Sequence, residues 1–415
     1  MRVWTTILGF VVFLGGIWGC SQRERLNPLD PNNPETGGRP TGLWVVSEKH
    51  EVTLSWDPLS LEGVLGYNVY RRQEGEEAFR IVDFASAESS SFQDPDLPYD
   101  QRVAYRISAV ASEYESPLSD SVSITPGPNN YWMVDYYSGV IARLTYDGLH
   151  TFFQTQQTLL PVAVAADSTT GTAWIVDAIG YLVRISDDGQ PLLWIDGLTD
   201  PAHVALDPLG GVVWVSDDSR TCIARYDTMG NLLGLTEGFG EISDISWVEQ
   251  SGGCWVADVE GKDVVFVSSS GDREVEVEEV FEYPRAISYY PSGEWLWVAD
   301  SLRLARVWND GTTEEVVTLN QLVLSVSADQ TTGDCWVIIA TGDEDENAVL
   351  KISANGEVLT RVEGFYFAQS LVANGFNGGC LVADTGNGRI VRVSQDGDVL
   401  GSLGDFYGPW DVAIE

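Results

Sequence analysis

The sequence is poor in positive charge. Its 415 residues include 23 Lys and Arg against 62 Asp and Glu, a formal charge of −39. A surface that negative repels phosphate backbones, which excludes nucleic acid as a partner. Histidine is scarcer still: of the three in the chain, His50 stands apart from His150 and His203, so a three-histidine zinc centre cannot be assembled. The five cysteines show no CxxC spacing, so nothing in their arrangement suggests zinc. Nucleophile elbow, phosphate loop, HExxH and Arg-Gly-Asp motifs are all missing. No apolar run reaches the ~20 residues that a membrane-spanning helix needs. What the chain does have is 42 glycines and 15 tryptophans, the composition of an ordered protein with many tight turns, which points to an all-β fold.

Arg2 followed by the apolar run Val3 to Ile17 predicts a signal peptide over 1–19. The run ends in Ile17-Trp18-Gly19-Cys20, which resembles a bacterial lipobox. That resemblance implies lipidation of Cys20 and attachment to a membrane through the lipid anchor. Ser21 after the cysteine resembles an outer-membrane sorting signal, an address in the bacterial cell envelope. Residues 20–40, rich in Pro, Asn, Gly and charge, are expected to form a flexible tether.

Between 41 and 126, short segments alternate apolar and polar residues: Val52, Leu54 and Trp56, then Val103, Tyr105, Ile107 and Ala109. Period-two alternation broken by turn residues predicts a small antiparallel sandwich. The order "TLSWDP", "GYNVYRR", "YRISAV" resembles a fibronectin type III domain, with Trp56 as its core tryptophan. The family's tyrosine-corner position falls on Val103, so that corner bond is expected to be absent.

Residues 129–415 repeat one unit seven times. A glycine recurs at 148, 189, 230, 271, 311, 356 and 397, and a strand-like core such as Trp174-Ile175-Val176-Asp177 precedes each. Units near 40 residues with four short strands are propeller blades. The first unit lacks an inner strand, and the missing copy stands at Pro409 to Glu415. A seven-bladed β-propeller closed by this carboxy-terminal strand is therefore expected. "GGCLVADTGNGRIVRVSQDG" resembles an NHL-type repeat, which implies a scaffold fold and no particular reaction.

Within the repeat, Asp135, Asp177, Asp217, Asp258, Asp300 and Asp384 end the second strand, and Arg143, Arg184, Arg225, Arg306, Lys351 and Arg392 lie on the third. The aspartates read as turn caps, the acid and base together supporting neighbouring blades. Ile339 loses the acid and Phe266 the base in different blades, which an obligate one-to-one ion pair would not allow. The tryptophans read as packing between blades. Cys254, Cys335 and Cys380 occupy one repeated place, too far apart for disulfides, so buried thiols are expected.

Inner-strand starts carry the departures from small apolar residues. His203, Asp244, Arg285, Gln369, Trp410 and Asp411 are the candidate binding residues, expected to ring the channel mouth. The longer sixth repeat holds Asp343, Glu344 and Asp345, a solvated loop or a calcium site; otherwise no cofactor is expected. Two functions fit. One is a non-catalytic envelope lipoprotein whose propeller binds a protein or glycan. The other is a metal-assisted lyase or hydrolase using carboxylates at the mouth, although no His-x-Glu pair like that of the streptogramin lyases occurs.

Overall fold

The computed structural model describes residues 27, 29–33, 35–217, 219, 221–342 and 345–415. The predicted signal peptide and Cys20 lie outside them, as do Asp343 and Glu344. Among the described residues no helix is long and apolar enough to cross a membrane.

Two β-sheets built from residues 44–124 face one another. Strands Trp44–Glu48, Glu51–Ser55 and Ser91–Asp94 form one sheet; Arg80–Ser86, Val64–Gln73, Val103–Ala111 and two short strands form the other. Their inward residues, Val52, Leu54, Trp56, Tyr67, Val69, Tyr105 and Ile107, make one buried core. Val103 is buried apolar surface, and Tyr105 instead donates its hydroxyl to Asp94 at 2.6 Å. Part of the segment expected as tether packs here: Leu29 lies against the core, and Arg39 meets Asp120 at 2.8 Å.

Seven four-stranded antiparallel sheets follow. Blades 2 to 7 each run outward in chain order from inner strands Pro161–Asp167, Pro201–Asp207, Ile242–Val248, Pro284–Tyr290, Val323–Ala328 and Ser370–Ala373. Blade 1 takes its inner strand, Pro409–Ile414, from the end of the sequence, pairing it with Tyr131–Asp135. Adjacent inner strands touch all the way round the ring. The fold is therefore the sandwich and closed seven-bladed propeller that the repeats implied.

The repeated residues now have separate causes. All seven glycines have φ between 65° and 95°, a left-handed conformation in the turn to the outer strand where a Cβ is disfavoured. Second strands are covered on both faces by stacked blades, so Trp132, Trp174, Trp214, Trp255, Trp297 and Trp336 are fully buried. Each repeated aspartate accepts backbone N–H bonds from the loop entering its own blade's inner strand. Asp177 holds Leu159 at 2.7 Å, Asp217 holds Thr199 at 3.0 Å and Asp300 holds Tyr283 at 2.6 Å. Asp258 and Asp384 do the same for Gly240 and Tyr366, and Asp135 does it for Tyr407 and Gly408, tying in the closing strand.

The register separates these acids from the third-strand bases expected to act with them. Arg184 lies opposite Trp174, whereas Asp177 lies opposite Tyr181. The bases stack beside the buried indoles, with Arg184, Arg225, Arg306 and Lys351 each 5.7 Å from one. Several also reach carbonyls of the following blade, as Arg225 does to Ser269 at 2.6 Å. Phe266, which replaces the base in blade 4, packs on Trp255 at 5.3 Å. An aromatic ring thus fills the same place against the tryptophan, so the base can be lost while the acid stays.

Cys222, Cys254, Cys335 and Cys380 are all buried. Burial pushes the Cys254 and Cys380 thiols up, away from ionisation.

Candidate functional site

The inner strands start on one face of the propeller, and in blades 1 to 6 the pairing register slips at their second or third residue. Bulges of this kind bend a strand and re-aim its side chains. In those six blades they turn residues at the start of the inner strand toward the axis, and blade 7 brings Gln369 and Ser370 to the same place without a slip. The third position forms a ring of Ala163, His203, Asp244, Ala286, Ser325, Ser370 and Asp411 around a cavity of about 420 Å³. Arg285, Gln369 and Trp410, with Ser243 and two apolar residues, come from the second position and line the same cavity nearer the opening.

All six residues singled out at inner-strand starts are thus brought together. Ser243, Ser325, Ser370, Glu241 and Tyr283 also line the cavity and were missed, because a serine or a loop acid carries no signal until strand register places it. Asp345 lies apart, its carboxylate beside the Tyr366 hydroxyl at 3.4 Å. Among the described residues no three His, Cys, Asp or Glu side chains gather to hold a metal ion.

Electrostatics in the cavity follow from burial. His203 and Asp244 approach to 3.9 Å, with side chains 30% and 28% exposed. Both open only onto the confined channel, so desolvation disfavours the charged form of each. It pushes His203 down to about 4. It pushes Asp244 up to about 7, against backbone bonds from Ile287 and Ile245, and the Asp411 charge raises it further. Asp411 is raised by the same desolvation, partly offset by bonds from Ser370, Val164 and Val412. A neutral imidazole therefore faces a carboxyl whose ionisation burial has shifted up toward neutral pH.

Arg285 is exposed and has no ion-pair partner among the described residues. Trp410 carries an aromatic cluster on its outer side, with Tyr136 at 4.8 Å, Phe367 at 6.3 Å and Tyr137 at 6.5 Å.

This mouth is open to solvent on the face away from the sandwich. The sandwich docks on the opposite face, where Tyr146 donates to Asp100 at 2.7 Å and the Thr125 N–H reaches Asp147 at 3.0 Å. Asn377 of blade 7 donates to Tyr146 at 2.7 Å, and Arg143 meets Glu48 at 3.2 Å.

The fold is that of known propellers. A functionally unknown protein from Desulfotomaculum acetoxidans is similar at 14% identity and TM-score 0.58, over 69% of this chain and 98% of that one. Streptogramin B lyase is similar at 13% identity and TM-score 0.52, over 66% and 87%. A 6-phosphogluconolactonase-like protein from Bacteroides fragilis gives 10% identity and TM-score 0.54, over 69% and 98%. Likeness at these identities establishes the architecture and transfers no activity. No family model matches the chain, and no curated protein matches it in sequence.

Proposed function

We propose that the protein is a non-catalytic lipoprotein of the bacterial cell envelope whose propeller binds a protein or glycan partner at the channel mouth. The observation that carries this reading is the cavity itself. It gathers polar and charged side chains with Trp410 on the solvent-open face, while the opposite face is spent on holding the sandwich. In this reading the lipid on Cys20 anchors the chain and the sandwich is a fibronectin type III spacer. The strand order of its two sheets and the packing of Trp56 on Tyr67 at 5.3 Å support that assignment. Docked rigidly, the spacer would direct the mouth away from its own side of the propeller.

A photocrosslinker at Tyr407, 80% exposed beside the mouth, tests the reading against one at Leu233 on the outer rim. Partner adducts should form at Tyr407 and disappear when Trp410 is replaced by alanine. Equal adducts at Leu233, or none at either place, would defeat it.

A hydrolytic or lyase reading has one observation in its favour, His203 at 3.9 Å from Asp244, with burial lowering the imidazole and raising the carboxyl, a pair suited to moving a proton. The metal-assisted version lacks a three-ligand donor set among the described residues. Turnover of simple lactones that Asp244→Asn abolishes would move this reading ahead of the first.

A further inference from the structure

We propose that the channel mouth receives a primary ammonium group, the side chain of a lysine on a partner protein, held between Asp244 and Asp411. The proposal rests on the mouth being a binding site and adds the chemistry of what enters it.

Asp244 and Asp411 occupy the same third position of the inner strands of blades 4 and 1, three steps apart round a seven-membered ring, so they stand on facing walls. Each carboxylate is fixed by backbone donors. Asp244 takes the Ile245 and Ile287 N–H groups, both at 2.8 Å. Asp411 takes Val164 and Val412 N–H at 2.9 Å and the Ser370 hydroxyl at 2.6 Å. An ionised carboxylate offers about four acceptor positions. Two remain on Asp244 and one on Asp411, enough for the three hydrogens of an ammonium.

Joining neighbouring inner strands does not by itself call for an acid. Ser246, Ser288 and Ser327 accept the Tyr289, Ala328 and Ala373 N–H groups at 3.0, 2.9 and 3.0 Å. A hydroxyl makes that bond without the cost of burying a charge, which is several kcal/mol per ion. Two carboxylates at the axis are therefore unexplained by strand joining alone. A cation between them would offset both their desolvation and their mutual repulsion.

An organic cation fits better than a metal ion. Hard divalent ions take about six to eight oxygens, and no third ligating side chain joins the two acids among the described residues. The long-range field favours the same sign, since residues 129–415 carry 44 acids and 13 bases, a balance of −31, and clefts focus such fields. Trp410, which lines the cavity, offers aromatic surface to the aliphatic stem of a lysine. Arg285, nearer the opening, disfavours a run of basic residues and selects an isolated lysine.

Saturation-transfer NMR on the full chain at 150 mM salt, with the blocked peptide Gly-Gly-Lys-Gly-Gly as probe, tests this. The lysine side-chain protons should receive saturation, and the acetyl-lysine and glutamate versions of the peptide should not. Asp244→Asn with Asp411→Asn should weaken the lysine signal by at least about tenfold, as when one partner of a desolvated charge pair is removed. Asp244→Ser with Asp411→Ser keeps a hydroxyl acceptor in each strand and should lose the signal equally, which covers a folding defect in the first variant. The proposal is overturned by no lysine signal, by an equal signal from acetyl-lysine, or by a signal that survives the serine variant and so belongs to the acidic surface. If lysine fails while Tyr407 adducts still depend on Trp410, the mouth remains a binding site and only its ligand chemistry falls. If both fail, both fall.

Discussion

Replacing Asp244 with asparagine should stabilise the protein increasingly as pH rises from 5 to about 7. The folded state raises this carboxyl from its ordinary 3.8 to about 7. Between those values the folded protein holds a proton that the unfolded chain has released, so stability falls as pH rises through the window. At ~1.4 kcal/mol per pH unit the full cost above pH 7 is about 4 kcal/mol, most of which accrues between pH 5 and 7. His203 acts in the opposite sense: its folded value near 4 lies below the ordinary 6.5, so it adds stability as pH rises from 4 to 6.5. The difference between variant and parent cancels that contribution. Asparagine also loses one acceptor for a backbone N–H, a constant penalty of about 1 kcal/mol. Urea unfolding of both proteins, followed by tryptophan fluorescence in steps from pH 5 to 8, should show the variant's relative stability climbing by about 2 to 3 kcal/mol and levelling above pH 7. A difference that stays flat, or falls, would refute the account of Asp244 as a carboxyl held neutral by burial.

Glu415→Ala should destabilise the propeller by about 3 kcal/mol, because Arg143 is buried against that carboxylate at 2.6 Å; chemical denaturation measures it, and an unchanged midpoint would show the contact to be idle. Asp217→Ala should cost about 1 to 3 kcal/mol through the lost bonds to Thr199 and Asp200, with faster amide exchange confined to that loop. Arg184→Phe, which copies the Trp255 and Phe266 pair of blade 4, should cost less than Asp177→Ala in the same denaturation assay. The four buried thiols should resist a thiol reagent in the native state and react together on unfolding, and rapid native labelling of Cys254 would contradict its burial.

Positions that do the same job in every blade were legible in the sequence. The turn glycines recur because each turn needs positive φ, and the tryptophans recur because every second strand is covered on both faces. Closure was legible from one missing strand at 131 and one spare at 409. The bases misled because chain proximity is not sheet proximity. Asp177 and Arg184 are three rungs apart along the ladder, about 10 Å at the usual rise, so the cation lies beside Trp174 and reaches a different acid, Asp167 at 3.7 Å. At the mouth, His203, Asp244 and Asp411 stood out as unusual residue types. Ser325 and Ser370 share their ring but differ little from the small residues of other blades, so only the folded ring shows that they face the axis. The rim cluster of Tyr136, Tyr137 and Phe367 comes from loops between different strands, and no periodicity links such residues in advance.

Strand exchange in blade 1 also sets the order in which the molecule can assemble. Asp135 waits for a loop 272 residues downstream, while every other blade is made from one continuous stretch. During synthesis the edge at 131–135 stays unpaired until the final strand emerges. The entropic cost of that long closure is modest, since it grows only with the logarithm of loop length. It comes to about 5 kcal/mol, against about 3 kcal/mol for a loop of one blade's length. A latch contributing about 2 kcal/mol beyond an ordinary blade contact therefore suffices to keep the ring shut, and the Arg143 and Glu415 pair is of that order. The 131–135 edge of a nascent chain is then open to edge-to-edge aggregation until residues 409–414 have been added.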